Sequence, residues 1–349
     1  MKRPLSFVCV PCLALALAAS ACGGGSSSSA EAASAVTLQG AGASFPAPLY
    51  TRWFKTYSAA HQNVLVDYQS VGSGSGVKSV VDRTVDFGAS DAAMKPEDMA
   101  KVDGGVQLFP MTAGSIVLAY NVQGVNALKL PRAVYPAIFL GKVTRWNDPA
   151  IALANPGIKL PDLPINVVVR ADSSGTSFVF SKHLSAVSDD FNKAVGANTM
   201  PNWPVGTKSK GNEGVTASIK STPGSIGYIE YGYAKSQQMP MAVPENKSGK
   251  YVAATTESGQ AALASATLPA DMIVWASDPE VPEAYPIVTY TWLICYKNYP
   301  DKNKLQAMRD LLTFGLTEGQ KDAESLGYIP LPASVVAKAT DAIQHLGTK

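Results

Sequence analysis

The chain has little of what a catalytic or metal centre needs. It contains three histidines, and they lie far apart, at His61, His183 and His345. No segment gathers cysteine, histidine and carboxylate side chains at the spacing of a metal site. We therefore expect each histidine to be a helix or surface residue rather than a base or a ligand. No metal or other cofactor is predicted.

The chain also lacks an excess of charge of either sign. The chain has 29 basic and 27 acidic residues, a formal net charge of +2. Nucleic acids and anionic membrane surfaces attract clustered Lys and Arg, which this sequence does not provide. Nucleic acid is therefore excluded as a partner, and any anion must be held by local groups.

Long hydrophobic runs are missing except at the N-terminus. Lys2 and Arg3 precede an apolar run over residues 5–19, which meets Ala19-Ser20-Ala21-Cys22. This order is typical of a secretory signal with a lipoprotein-type cleavage site, and the run is too short to span a bilayer comfortably. We predict a signal peptide over residues 1–21, lipidation of Cys22 and a flexible tether over residues 22–35. The protein would then be lipid-anchored in the periplasm or at the cell surface; an ordinary signal peptide is the alternative.

Cysteine is rare as well. Removal of residues 1–21 takes away Cys9 and Cys12, so with Cys22 lipidated only Cys295 remains as a thiol. No disulfide framework is available. Cys295 lies in the apolar stretch 290–296, where we expect a buried structural thiol rather than a nucleophile.

What the sequence does contain is a repeated order of strand, small-residue loop and helix. Three such units are predicted: strand 36–39 with loop 40–45 and a helix toward residue 61; strand 64–68 with loop 72–76 and a helix from 77 to about 83; strand 167–169 with loop 170–176 and a helix over 177–184. A further strand over residues 85–90 ends at Asp91. This order predicts α/β lobes with mainly parallel strands and a ligand at their carboxyl ends.

The length of the chain favours two lobes. About 315 residues follow the tether, more than one hydrophobic core comfortably organises. Two apolar extended stretches, near residues 115–120 and 286–295, are placed where the chain could cross between lobes. We predict one lobe from residues 36–113 and 287–349 and a second from residues 114–286.

The loops suit a tetrahedral oxyanion. A helix start leaves backbone N–H groups unpaired and carries partial positive charge, and glycine lets the backbone come close to a ligand. The hydroxyls of Ser44, Ser73, Ser174 and Thr176 add further donors. A phosphatase or phosphotransferase that uses Ser174 or Ser73 is an alternative, but the sequence places no activating histidine, lysine or metal cluster near these serines.

Three segments resemble the loops of periplasmic phosphate-binding proteins, the substrate-binding subunits of phosphate ABC transporters. They are residues 40–48, 85–91 and 170–178, and the resemblance covers essentially the whole chain after the signal. It implies a type II periplasmic-binding-protein fold, in which two α/β domains are joined by a two-strand hinge with the ligand in the cleft. It also implies high-affinity binding of inorganic phosphate and delivery to the permease and ATPase subunits of an importer.

The resemblance further implies which residues hold phosphate: Ser44, the Phe45 amide, Ser73, Asp91, Arg170, Ser174, the Gly175 amide and Thr176. Within the loop 72–76, Ser75 is an alternative to Ser73. Asp172 is expected to orient the Arg170 guanidinium, and it could also cap the following helix.

Asp91 is the residue expected to select phosphate. Phosphate keeps at least one proton near neutral pH, whereas sulfate has none, so an ionised Asp91 can accept a hydrogen bond from phosphate only. Another oxyanion, such as sulfate, arsenate or molybdate, remains the alternative ligand.

Overall fold

The computed structural model describes residues 35–276 and 278–348. The predicted signal peptide, the lipidation site at Cys22 and the tether up to residue 34 lie outside the described residues. No helix in the described part of the chain has the length and apolar character needed to cross a membrane.

The first part of the chain alternates strands and helices, as predicted. Its elements are β1 (Val36–Gly42), α1 (Ala47–Ala60), β2 (Val64–Ser70), α2 (Ser73–Val81), β3 (Phe87–Ser90), α3 (Pro96–Met99), β4 (Val106–Asn121), β5 (Lys129–Leu130), α4 (Val134–Phe139) and α5 (Pro149–Ala154).

The rest of the chain continues this alternation and ends in helices. Its elements are β6 (Asn166–Arg170), α6 (Gly175–Val187), α7 (Asp189–Ala194), β7 (Thr207–Ser209), α8 (Gly211–Ser221), β8 (Ser225–Glu230), α9 (Tyr231–Ser236), β9 (Val243–Pro244), α10 (Thr256–Ala264), β10 (Val288–Tyr296), α11 (Lys302–Leu316), α12 (Gln320–Ala323) and α13 (Ala333–Gln344).

Eight strands form one continuous sheet in the order β2-β1-β3-β10-β4-β8-β6-β7. In it, β1 is parallel to β2 and β3, and β6 is parallel to β7 and β8. The three antiparallel pairings all involve β4 or β10. Four of the seven pairings in this sheet are therefore parallel, and the antiparallel ones are confined to the two long strands at its centre.

Strand β4 connects the two halves of this sheet. Its residues 106–115 pair with β10, and its residues 116–121 pair with β8. Both strands are almost completely buried, which explains their unbroken apolar sequences. We call the side with β1, β2, β3 and β10 the first half, and the side with β6, β7 and β8 the second half.

Two helices begin earlier than the sequence indicates. Helix α2 begins at Ser73 instead of residue 77, because Gly72 turns the chain with φ of 96° and its carbonyl accepts from the Gly76 amide at 3.0 Å. Helix α6 begins at Gly175 instead of residue 177. The Ser174 side chain caps it by accepting from the Ser177 amide at 3.0 Å. The suggestion that Asp172 caps this helix is therefore wrong.

The histidines and the single described cysteine have structural positions. His61 and His345 are exposed at helix ends, whereas His183 is fully buried in α6, where burial lowers its pKa to about 4. Cys295 is a free, buried thiol on β10, and burial raises its pKa far above the ordinary value. It is therefore a core thiol, as expected.

Candidate functional site

The residues implied by the loop resemblance lie at the carboxyl ends of strands and at helix starts. In the first half, Ser44 and Phe45 follow β1, Ser73 begins α2 and Asp91 follows β3. In the second half, Arg170 ends β6, and residues 174–176 form the start of α6. All of them are buried, Arg170 the least so at 5% exposure. The parallel strand order thus brings segments distant in sequence to one place.

Direct hydrogen bonds join these residues across the two halves. The Ser73 hydroxyl oxygen accepts from the Gly175 amide at 3.0 Å and from the Asp91 amide at 3.4 Å. The Thr176 hydroxyl donates to the Asp91 carboxylate at 3.5 Å. Ser73, Asp91, Gly175 and Thr176 therefore form a single connected group.

Arg170 is held as a buried cation. Its Nε and Nη2 donate to the two carboxylate oxygens of Asp172 at 2.8 and 2.5 Å, and Nη1 donates to the Thr176 hydroxyl at 3.4 Å. The side chains of Arg170 and Asp172 are only 2% and 11% exposed. This fork arrangement fixes the guanidinium plane, which leaves its remaining N–H donors available to a ligand.

Asp172 stays ionised beside Arg170. Burial alone would raise its pKa, but the guanidinium and the Gly211 amide, which donates at 3.0 Å, outweigh burial and lower the pKa. Asp172 therefore carries the negative charge that balances Arg170.

Asp91 is the opposite case, because burial raises its pKa to about 7. The Thr291 hydroxyl, which donates to it at 2.9 Å, the nearby Arg170 charge and Thr176 act in the other direction without overcoming burial. Near neutral pH the carboxyl therefore lies close to its midpoint of protonation. A ligand that brings a proton and negative charge can interact with either form.

Ser174 and Gly175 place the start of α6 against Asp91. The Ser174 oxygen accepts within the helix cap, so its O–H remains free to donate to a ligand. A Cβ on Gly175 would lie 2.7 Å from both the Ala92 nitrogen and the Asp91 Cβ. Only glycine lets the α6 amides approach this closely.

Two residues of the site were missed by sequence reasoning. The backbone and side-chain nitrogens of Asn212 both donate to the Ser44 hydroxyl oxygen at 2.9 Å, and the side chain also donates to Thr176 at 3.2 Å. Thr291 is the second, through its bond to Asp91. The available sequence signal for Asn212 is its place between the glycines of segment 211–214, whereas Thr291 is a lone hydroxyl in an apolar strand.

Ser44 and Phe45 are built into a network of carbonyl contacts as well. The Ser44 carbonyl accepts from the Tyr233 hydroxyl at 2.6 Å, and the Phe45 carbonyl accepts from the Tyr328 hydroxyl at 2.8 Å. The two tyrosine hydroxyls thus hold the carbonyl side of the loop, while the Ser44 side chain contacts Asn212.

The chemistry available here is that of anion binding. A buried guanidinium, several hydroxyls and helix-start amides surround one carboxyl of raised pKa. Among residues 35–276 and 278–348, no cluster of three or more His, Cys, Asp and Glu side chains could hold a metal ion.

The chain is similar to known proteins over most of its length. Residues 27–316 match the PBP superfamily domain. The phosphate-binding protein PstS of Pasteurella multocida is 40% identical over 306 residues, a match covering 86% of this chain and 88% of that protein. PstS of Methanocaldococcus jannaschii is 36% identical over 337 residues, with 89% and 86% covered. The chain belongs to the PstS phosphate-binding protein family.

Solved structures confirm the PstS-type fold. The phosphate-bound periplasmic protein PfluDING superposes with a TM-score of 0.72 at 19% identity, covering 88% of this chain and 93% of that one. A phosphate-binding protein from Stenotrophomonas maltophilia gives 0.70 at 20% identity, with the same coverage. The predicted type II periplasmic-binding-protein fold is confirmed.

Proposed function

We propose that this chain binds inorganic phosphate with high affinity outside the inner membrane and delivers it to an ABC-type phosphate importer. The observation that carries the proposal is the buried group of Arg170, Asp91 and Thr176, which offers fixed cationic and hydroxyl donors beside a single carboxyl. The names of relatives that cover most of the chain support the same ligand.

Each implied contact has a role in this proposal. Arg170 donates to two phosphate oxygens, and charge-assisted bonds of this kind contribute about 1.5–3 kcal/mol each. The hydroxyls of Ser44, Ser73, Ser174 and Thr176 and the amides of Phe45 and Gly175 complete the shell. For this, the Gly175 amide and the Thr176 hydroxyl exchange their bonds to Ser73 and Asp91 for bonds to phosphate. Because Ser44 accepts from Asn212, its own O–H is free to donate to phosphate.

Asp91 supplies the selectivity. Above pH 7 its ionised form prevails and accepts a hydrogen bond from protonated phosphate, whereas sulfate would leave a buried carboxylate facing an anion without a proton between them. A site built around one hydrogen bond can discriminate by on the order of 10⁴–10⁵-fold. Arsenate, like phosphate, keeps at least one proton near neutral pH, so Asp91 cannot distinguish the two. We expect the site to discriminate against arsenate only by its larger size.

Calorimetric titration tests this assignment. The wild-type chain should bind phosphate, reject sulfate and take arsenate more weakly. Asp91→Asn should weaken phosphate binding or let sulfate compete. Asp67→Asn, at an exposed position on β2, is the control and should match wild type. Unchanged phosphate affinity with unchanged sulfate rejection in Asp91→Asn would remove Asp91 from this role.

We further propose that the protein acts as a binder and not as an enzyme. The hydrogen bonds that the Ser73 and Ser174 oxygens accept come from backbone amides, which do not activate a nucleophile. Turnover of a phosphomonoester by the purified chain, lost in Ser174→Ala, would contradict this.

The location and partners belong to the same proposal. We propose a lipid on Cys22 that holds the chain at the membrane, the lobe limits given above, and docking of the phosphate-bound form on permease and ATPase subunits. Release of the protein from membranes by Cys22→Ser, with phosphate binding intact, is the expected result.

A further inference from the structure

Three successive carbonyls of the loop after β1 each accept a hydrogen bond from a tyrosine hydroxyl. The pairs are Tyr68 with Ala43 at 2.6 Å, Tyr233 with Ser44 at 2.6 Å and Tyr328 with Phe45 at 2.8 Å. The loop 43–45 thus has its carbonyl side covered by donors. We call these three side chains the tyrosine bracket.

Holding a carbonyl also directs an amide. In a trans peptide the C=O and the next residue's N–H point in opposite directions from one rigid plane. The Ser44 carbonyl shares its peptide with the Phe45 N–H, which is a proposed phosphate donor. A bond accepted at the carbonyl also polarises the N–H of the same peptide, which strengthens its bond to an anion.

Tyr233 belongs to the second half, whereas the other two tyrosines of the bracket belong to the first. Tyr68 lies on β2, and Tyr328 follows α12, so both belong with the first half. Tyr233 lies on α9, directly after β8, and therefore reaches the loop from the second half. The Ser44 carbonyl also accepts from the Ala47 amide at 3.2 Å, a donor from its own half. Tyr233 is thus the added donor that depends on the two halves being together.

Helix α9 is held at this position by close packing. A Cβ on Gly327 would lie 2.7 Å from the Gly232 Cα, and a Cβ on Gly232 would overlap the Leu326 carbonyl. The Lys235 ammonium donates to the carbonyls of Glu324 and Ser325 at 3.1 and 3.3 Å. These contacts with segment 324–327 of the first half place Tyr233 in the closed form, and they separate together with its hydrogen bond on opening.

We propose that Tyr233 is a positioning residue that couples closure of the two lobes to the strength of the Phe45 amide as a phosphate donor. On closure its hydroxyl reaches the Ser44 carbonyl, fixes and polarises the 44–45 peptide, and so slows phosphate release. Opening withdraws the hydroxyl and weakens the donor. This inference rests on the proposed phosphate binding.

The test compares phosphate binding by Tyr233→Phe and Tyr231→Phe, each made in the full-length chain. Tyr231 lies on the same helix, and within the described residues its hydroxyl makes no hydrogen bond, so it is a matched control. Loss of one neutral hydrogen bond should weaken phosphate binding by roughly three- to tenfold in Tyr233→Phe. The change should come from faster dissociation, with association unchanged.

Amide NMR gives a readout that a general loss of packing would not produce. The phosphate-induced downfield shift of the Phe45 amide proton should be smaller in Tyr233→Phe and unchanged in Tyr231→Phe. Wild-type affinity and a wild-type Phe45 shift in Tyr233→Phe would overturn the inference, as would equal losses in both variants. A wild-type chain that fails to bind phosphate would overturn the proposed function instead.

Discussion

The charge pair of Arg170 and Asp172 is where single residues matter most for stability. Both side chains are buried and joined by two hydrogen bonds. Removing one partner of such a pair leaves an uncompensated buried charge, which typically costs about 3–5 kcal/mol. We therefore predict that Asp172→Asn lowers the free energy of unfolding by about 3 kcal/mol in phosphate-free buffer, measured by urea denaturation.

An exposed pair of the same chemistry is the control. Arg145 and Asp162 form an ion pair with side chains 46% and 69% exposed, so Asp162→Asn should lower the free energy of unfolding far less than Asp172→Asn does. Added phosphate should stabilise Asp172→Asn more than wild type, because the anion supplies Arg170 with a new partner. If both variants lose the same small amount of free energy of unfolding, the buried pair stabilises the fold no more than the exposed pair does.

Asp91 makes stability depend on pH. Its unfolded-state pKa is near 3.8, and burial raises the folded-state pKa to about 7. Between these values the unfolded chain binds fewer protons than the folded chain, so the free energy of unfolding falls as pH rises. The stabilising contribution is present below pH 4 and lost by pH 7, and three pKa units correspond to at most about 4 kcal/mol.

The measurement is urea unfolding at pH 4.5 and 7.5 without phosphate, in wild type and Asp91→Asn. Wild type should lose stability relative to the variant as pH rises. Buried Glu230, whose pKa burial also raises, changes both proteins in the same direction. Because the Asp91 charge adds to that shift, the part of it due to Asp91 stays in this difference and belongs to the same effect of Asp91. A difference that stays constant with pH would mean that Asp91 titrates at its ordinary pKa.

At the scale of single elements, Ser174 has two tasks. Its oxygen caps α6, and its O–H is proposed to donate to phosphate. Loss of a serine cap costs about 1 kcal/mol, and a bond to a charged ligand is worth about 1.5–3 kcal/mol. Ser174→Ala should therefore lose about 1 kcal/mol of stability and bind phosphate at least tenfold more weakly, as measured by thermal unfolding and calorimetry.

Ser188 offers the matched control for this element. It caps α7 by accepting from the Phe191 amide at 3.2 Å. Ser188→Ala should lose a similar amount of stability and keep wild-type phosphate affinity. If both alanine variants bind phosphate like wild type, Ser174 is a cap and nothing more.

Sequence patterns predicted the elements better than they predicted the partners of side chains. The strand-loop-helix order is local, so β1, β2, β6 and their helices could be recognised from glycine, serine and apolar spacing. The start of α2 was placed too late, because glycines usually indicate a loop, whereas here Gly74 and Gly76 lie in the first turns of the helix. Local composition does not show that Gly76 is needed because the backbone at Gly42 packs against it.

Asn212 and Thr291 could not be found in the same way. Thr291 reaches Asp91 because β10 runs antiparallel beside β3 with Trp292 opposite Ser90, a register set by tertiary packing. Asn212 reaches Ser44 from 168 residues away along the chain. A polar residue gains such a role only when distant strands are assembled.

At the scale of the whole molecule, the halves are joined at the site itself. The Gly74 amide donates to the Ser173 carbonyl at 3.0 Å, next to the bond between Ser73 and Gly175. The structure therefore shows the two halves in direct contact at the site, as expected of a closed form. A ligand that contacts both lobes favours this form by its differential affinity for it.

Gly74 is the position where closure can be blocked without touching a proposed ligand contact. Its φ is not in the left-handed region, so alanine fits the α2 backbone, but an added Cβ would overlap the Cβ and Oγ of Ser173 on the other half. We predict that Gly74→Ala folds normally and resists full closure. Phosphate should then dissociate roughly tenfold faster, a cost of about 1.4 kcal/mol.

Small-angle scattering with and without phosphate measures this closure directly. The wild-type radius of gyration should fall on adding phosphate, and that of Gly74→Ala should fall less. Gly214→Ala, in α8, is the matched control, because its Cβ would meet Ser209 only at an ordinary 3.7 Å. Full compaction of Gly74→Ala at wild-type affinity would mean that Ser173 moves aside and that contact at Gly74 does not limit closure. If the wild-type radius of gyration does not fall on adding phosphate, the result contradicts a hinge that responds to phosphate. Phosphate would then have equal affinity for the open and the closed form and could not favour closure.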